Sequence, residues 1–170
     1  MVTRDDIYRK FGEVAEAAQL IETDLGTLQL FLRGAEEGMI TPALEVDSSR
    51  AAELLAKINR QTLGQHIKET KQVTDALDQI EPTLSAALEE RNRLFHHFYR
   101  EHNIRINTDA GRAIMLADLE KAHGALIKAY KMLSLLSGID LDALVGQVDA
   151  MPRNALDAEV NDKKVFHLPI

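Results

Sequence analysis

Cysteine is missing from all 170 residues. Its absence excludes disulfides, Cys-ligated zinc, iron–sulfur clusters and thiol nucleophiles together, and it suits a reducing cytosol. No apolar run approaches the ~20 residues that span a bilayer as a helix. The opening Met1-Val2-Thr3-Arg4-Asp5-Asp6 is charged and has no apolar signal core behind it. The expectation is therefore a cytoplasmic chain that does not enter a membrane. Positive charge is scarce as well: 20 Lys+Arg face 27 Asp+Glu, a net −7. With no long basic run, the chain is not a general nucleic-acid coat, and no DNA partner is expected. A small RNA site needs only a few well-placed cations, so that class stays open. Internal repeats, low-complexity tracts and strand-type alternation are all lacking.

What is present is a globular balance, 45% hydrophobic and 28% charged, sized for one domain with a real core. Ile7, Phe11, Val14, Ala18, Ile21, Leu25, Leu28 and Leu32 recur at spacings of four and three, a helical seam closed by Gly34, Gly38 and Pro42. Residues 35–47 read as a loop, and Asp47, Ser48 and Ser49 offer caps for a short helix carrying Leu54, Leu55 and Ile58. Thr62 and Gln65 form a capping box ahead of Leu63, Ile67, Val73, Leu77 and Ile80. Pro82 suits the first turn of the next helix. A last long helix carries Met115, Leu119, Ala122, Leu126, Ala129, Leu133 and Leu136, with Gly138 as its cap. Asp140 opens one more short helix to about Gln147. The predicted fold is all-α: an antiparallel four-helix-type bundle with additional short helices. It occupies 1–150 as a single domain, followed by a tail over 151–170 whose apolar end, Val165 to Ile170, is able to dock.

One helix breaks the pattern. After Pro82 the stripe runs Leu84, Leu88, Arg91, Phe95, Phe98, His102, with an arginine where packing alone asks for an apolar residue. A guanidinium there needs acceptors or an opening, because an unpaired buried charge costs several kcal/mol. Asn92 and His96 stand one turn apart on the rim, flanked by Ser85, Glu89 and Tyr99. Over 81–105 four arginines balance four glutamates, so the whole net charge of −7 lies elsewhere, and three of the six histidines (His96, His97, His102) fall in this stretch. The surface is locally more positive and more titratable than the rest.

The segment Glu89-Glu90-Arg91-Asn92-Arg93-Leu94-Phe95-His96-His97-Phe98 resembles the signature of the HEPN superfamily of helical-bundle proteins: an Arg, then Asn, Asp or His, then a His four to six residues after the Arg. Arg91, Asn92 and His96 fill it with four intervening residues, His97 with five. His96 shares a helix face with Asn92 and is the preferred histidine; His97 remains the alternative. The resemblance implies a metal-independent endoribonuclease that works as a dimer, with the motifs of two protomers meeting at the interface. It implies no cofactor and no metal. In that reading His96 moves the proton and Arg91 stabilises the phosphorane. Asn92 orients the histidine or holds the phosphate, with His97, Tyr99 and Glu89 as possible supports. RNA is the substrate, and a toxin or defence role under an antitoxin-like partner is possible.

Blander readings stand beside these. Arg91 can be a structural arginine paired with a neighbouring acid. His97, His102, His123 and His167 can be satisfied polar residues, Phe95 and Phe98 core residues, and Arg93 and Arg100 a solvated face. A di-iron site wants two Glu-x-x-His pairs, and only Glu120 with His123 occurs. His-Glu-x-x-His, Gly-rich phosphate loops and a Ser/His/Asp setting are not found. The alternative function is a non-catalytic dimeric interaction module.

Overall fold

The computed structural model describes residues 1–39, 47–136 and 138, and among them every regular element is helical. Helix α1 spans Arg4–Glu36, α2 Ser48–Ile58, α3 Leu63–Lys71, α4 Glu81–His96, α5 Phe98–His102 and α6 Asp109–Leu136, with 3₁₀ turns at Asp75–Gln79 and Arg105–Asn107. The expected short helix from Asp140, the domain limit at 150 and the tail ending in Ile170 lie outside the described residues.

Local chemistry sets the ends. Thr3 and Asp6 make a reciprocal capping box on α1: Thr3 Oγ1 accepts from the Asp6 amide at 3.1 Å, and Asp6 Oδ2 accepts from the Thr3 amide at 2.9 Å. Thr62 and Gln65 repeat the device on α3, and Asp47 caps α2 through the Arg50 amide. Pro82 occupies the first turn of α4, where its missing N–H costs nothing. The two long helices close on glycines in the left-handed region, Gly38 at φ 66° and Gly138 at φ 77°. Gly34 does not stop α1; it is buried inside the last turn.

Successive helices alternate in direction. Glu22 of α1 meets Arg91 of α4 while Phe11 meets Phe95 and Tyr99, so those two run antiparallel. Antiparallel too are α4 and α6, from Arg93 against Asp118 down to the turn at Arg105 against Gly111. The long pair α1 and α6 is parallel: Val2 faces Arg112, Lys10 faces His123 and Asp24 faces Ser134. The core lies between these three helices, built from Ile7, Val14, Ile21 and Leu25 of α1, Leu84 and Leu94 of α4, and Met115, Leu119, Leu126 and Leu133 of α6. The α6 stripe is buried as its periodicity requires, except for Leu136, which is exposed. On α1 the buried face drifts off the seam, leaving Phe11, Leu28 and Leu32 half-buried.

Two expectations are corrected. The segment after Thr62 is not one helix through Ile80; it breaks after Lys71 and resumes as the 3₁₀ turn that buries Leu77. The helix after Pro82 does not run to His102 either. It stops at His96, steps at His97 (φ −129°) and restarts as α5. The buried face of α4 is Leu84, Ala87 and Leu94, so Phe95 lies off it at 42% exposure, while beyond the step Phe98 is buried and Tyr99 is 44% exposed.

Candidate functional site

The last turn and a half of α4 carries the motif. Arg91 lies on the edge of its apolar face, with the guanidinium 5.1 Å from the centre of the Phe95 ring. Its Nη1 donates to Asn92 Oδ1 at 3.1 Å. Its Nη2 sits 3.0 Å from Glu22 Oε1 of α1, and both side chains are only about a quarter exposed, 23% and 27%. The approach is Coulombic more than directional. Glu22 Oε1 is off the N–H line and has no hydrogen-bond partner, and Arg91 Nε has none among the described residues. The arginine of the apolar stripe is thus matched in charge but not saturated in hydrogen bonding.

The histidines stand apart from this pair. His96 and His97 are both exposed, with ring centres 6.2 Å apart, and neither is bonded to Arg91 or Asn92. Tyr99 packs against Phe11 at 5.4 Å and belongs to an aromatic ledge with Tyr8, Phe11 and Phe95. Burial raises the Tyr99 hydroxyl above its ordinary range, with nearby Tyr8 adding to it. Phe95 is no core residue, because the buried face of α4 runs through Leu84, Ala87 and Leu94 and leaves it exposed. Glu89 and Ser85 are exposed and outside the group. The structure brings Arg91 and Asn92 together, places Tyr99 on the same flank, and leaves His96 and His97 open to solvent one turn on.

Arg93 is not the solvated residue its surroundings suggest. It donates to Asp118 of α6 with both Nη atoms (2.8 and 3.0 Å), to Glu90 of α4 and to Glu101 of α5. Asp118 also meets His102 Nε2 at 2.8 Å, and Arg105 meets the other ring nitrogen at 3.1 Å. Burial pushes the Asp118 carboxyl up, but the bonds from Arg93 and His102 outweigh it and hold the group below the usual carboxylate range. The Asp118 bond in turn raises Arg93. Among the described residues, Glu101, His102 and Asp118 come near metal-ligand spacing, within 4.8 Å of one another, and Arg93 supplies the positive charge there. His102 and His123 are satisfied polar residues. The former is buried against Asp118, and the latter lies 2.9 Å from Lys10 Nζ, with burial and then Lys10 lowering its pKa.

Three residues were missed from the sequence. Glu22, Gln29 and His66 lie behind Arg91, where His66 is buried and its Nδ1 is 3.2 Å from Gln29 Oε1. Burial lowers the His66 pKa, and Glu22 opposes that shift. Beside Glu22 and His66 opens a cleft of about 230 Å³, lined also by Gly26, Leu55, Ile58 and Gln61 among others. The signal that marked Arg91 also marks Gln29 and His66, since each is a polar residue on the apolar face of its helix. No protein-family model, curated protein or solved structure matches the chain. No helix among the described residues is long and apolar enough to cross a membrane.

Proposed function

We propose that the protein is a metal-independent endoribonuclease of the HEPN kind, acting in the cytoplasm as a homodimer through Arg91, Asn92 and His96. We further propose that it serves as a toxin or defence effector restrained by an antitoxin-like protein. The observation that carries the reading is a guanidinium held on the apolar edge of α4 by Asn92, with exposed imidazoles in the next turn. The RNA 2′-oxygen attacks the adjacent phosphorus and gives its proton to a histidine; the 5′-oxygen leaves and takes a proton back. Histidine is the ordinary choice for that exchange, with a reference pKa of ~6.5. The charge gathering on the phosphorane falls to Arg91, whose planar fork suits two oxygens. His96 does not touch Arg91 within one protomer, so a second copy is asked to bring the two kinds of group to one phosphate.

The test is mixed RNA incubated with the purified protein in EDTA. Cleavage is expected to persist, to leave 2′,3′-cyclic phosphate ends, and to spare DNA, which lacks the attacking hydroxyl. His96→Ala is expected to lower the rate by about 10²–10⁴-fold. Arg91→Ala is expected to be at least as damaging, and Arg91→Lys not to restore full rate. A larger loss from His97→Ala than from His96→Ala moves the proton-transfer role to His97. Intact RNA across the histidine range, about pH 5–8, ends this reading. The second reading, a non-catalytic dimeric interaction module, is favoured by the ion pair with Glu22, which already neutralises Arg91.

A further inference from the structure

We propose that the cleft between α1, α2 and α3 is a nucleobase subsite that takes guanine on Glu22 and Gln61. Its role in cleavage rests on the ribonuclease reading; its ability to bind does not.

Size comes first. At about 230 Å³ the cleft falls below the ~300–1,000 Å³ typical of pockets for drug-sized ligands, so it suits one planar heterocycle and not a whole dinucleotide cofactor. Leu55 and Ile58 of α2 give it an apolar side, and Gly26 lets α2 and α3 close on α1 at its floor, where a Cβ would stand 3.2 Å from Ile58 Cγ2 and 3.5 Å from His66 Cε1.

Polar supply is lopsided. Glu22 and Gln61 both line the cleft, and each has a buried oxygen without a hydrogen-bond donor; Glu22 Oε1 has only the charge of Arg91 at 3.0 Å, and Gln61 Oε1 has no partner among the described residues. A buried acceptor without a partner, as at Gln61, costs about 1–3 kcal/mol, so the site gains from a guest that brings donors. The Thr23 and Thr27 hydroxyls cannot serve, because each donates back along α1, to Gln19 O at 3.0 Å and Thr23 O at 2.9 Å. Among ribonucleotide bases, guanine alone presents two adjacent donors, N1–H and the 2-amino group, on its Watson–Crick edge. Adenine and cytosine place a ring acceptor there, and uracil offers one N–H between two carbonyls. A carboxylate facing that edge accepts from guanine and repels the others.

Position completes the argument. Glu22 lines the cleft and also stands 3.0 Å from Arg91 Nη2. A base seated on Glu22 brings its own nucleotide's phosphate toward Arg91, and its N–H groups draw the carboxylate away from the guanidinium. Substrate would thereby free the cation that the phosphate needs.

The experiment titrates the full chain with GMP, AMP, CMP, UMP and ribose 5-phosphate, reading the Gly26 amide and His66 imidazole resonances and the heat of binding. GMP is expected to saturate both resonances and to bind at least ~10-fold more tightly than the other three nucleotides, since a site built on hydrogen bonds rejects analogues that leave it unpaired. Gln61→Leu and Glu22→Gln are each expected to weaken GMP by about tenfold or more. Gln61→Leu should unfold no earlier than wild type, because it removes an unpartnered buried acceptor. Equal affinity for all four bases overturns the proposal, as does an equal response to ribose 5-phosphate or GMP binding unchanged in both variants. RNA cleavage without GMP binding removes the subsite and leaves the ribonuclease reading intact. GMP binding without cleavage does the reverse.

Discussion

Arg91 shows how a single residue carries two demands. Its half-buried guanidinium is paired with Glu22 at 3.0 Å, so Arg91→Leu removes one charge and strands the other. That variant is expected to lose about 1–2 kcal/mol, well short of a fully buried pair because water still reaches both groups. Adding Glu22→Leu is expected to restore the loss or exceed it, and a double-mutant cycle by urea denaturation measures the coupling. A loss that persists in the double variant would show that Arg91 contributes by packing instead. The sequence displayed Arg91 as a breach in an apolar stripe but could not display its partner, because Glu22 lies 69 positions away on another helix. Asp118 is the same kind of case. Its folded pKa lies below the unfolded value, so the stability it contributes is present above about pH 4 and is lost as pH falls through the folded value. Urea midpoints are therefore expected to drop below about pH 4 in the wild type and to be flatter there in Asp118→Asn.

Among the elements, periodicity served best where a helix is long and buried on one stripe. All of Met115, Leu119, Ala122, Leu126, Ala129 and Leu133 on α6 are fully buried, as their spacing demands. It served worst where tertiary contacts interrupt a helix. Nothing in residues 95–99 is a helix breaker by composition, yet the chain steps at His97 and Arg93 ties α4, α5 and α6 through three acids. The start of α6 holds a similar hidden constraint at Gly111, where a Cβ would lie 2.1 Å from the backbone oxygen of Arg105. No side-chain rotation relieves a clash with backbone. Gly111→Ala is expected to destabilise by about 1–3 kcal/mol or more as the turn at Arg105–Asn107 is pushed off the helix. Gly124, on the same helix, has nothing within 4 Å of its would-be Cβ. There the same substitution is expected to add about 0.5–1 kcal/mol, by helix propensity and a less flexible unfolded chain. Paired urea curves decide it; equal effects at the two glycines would mean that the turn yields at little cost.

At the scale of the whole molecule, the outward aromatics bear on assembly. Phe95 (42% exposed) and Tyr99 (44%) pack on half-buried Phe11 beside the Arg91 edge, with Tyr8 (52%) near Tyr99. A cluster of exposed rings next to a cation is the composition of an interface centre more than of a free surface. A two-fold contact there sets the patch against its own copy and brings the partner's His96 toward Arg91, which one protomer leaves apart. Light scattering at micromolar concentration is therefore expected to give a dimer. Tyr8→Arg combined with Tyr99→Asp is expected to give a folded monomer whose unfolding midpoint no longer depends on protein concentration, because neither ring belongs to the fully buried core. RNA cleavage should fall with dimer content as the wild type is diluted and be lost in the doubly substituted protein, while GMP should still shift the Gly26 amide there, since that cleft is complete within one chain. A wild-type monomer at micromolar concentration removes the dimer from the proposal. A monomeric variant that cleaves RNA at the wild-type rate would place proton transfer and phosphate binding within a single chain, and His96 would then have to swing toward Arg91 unaided.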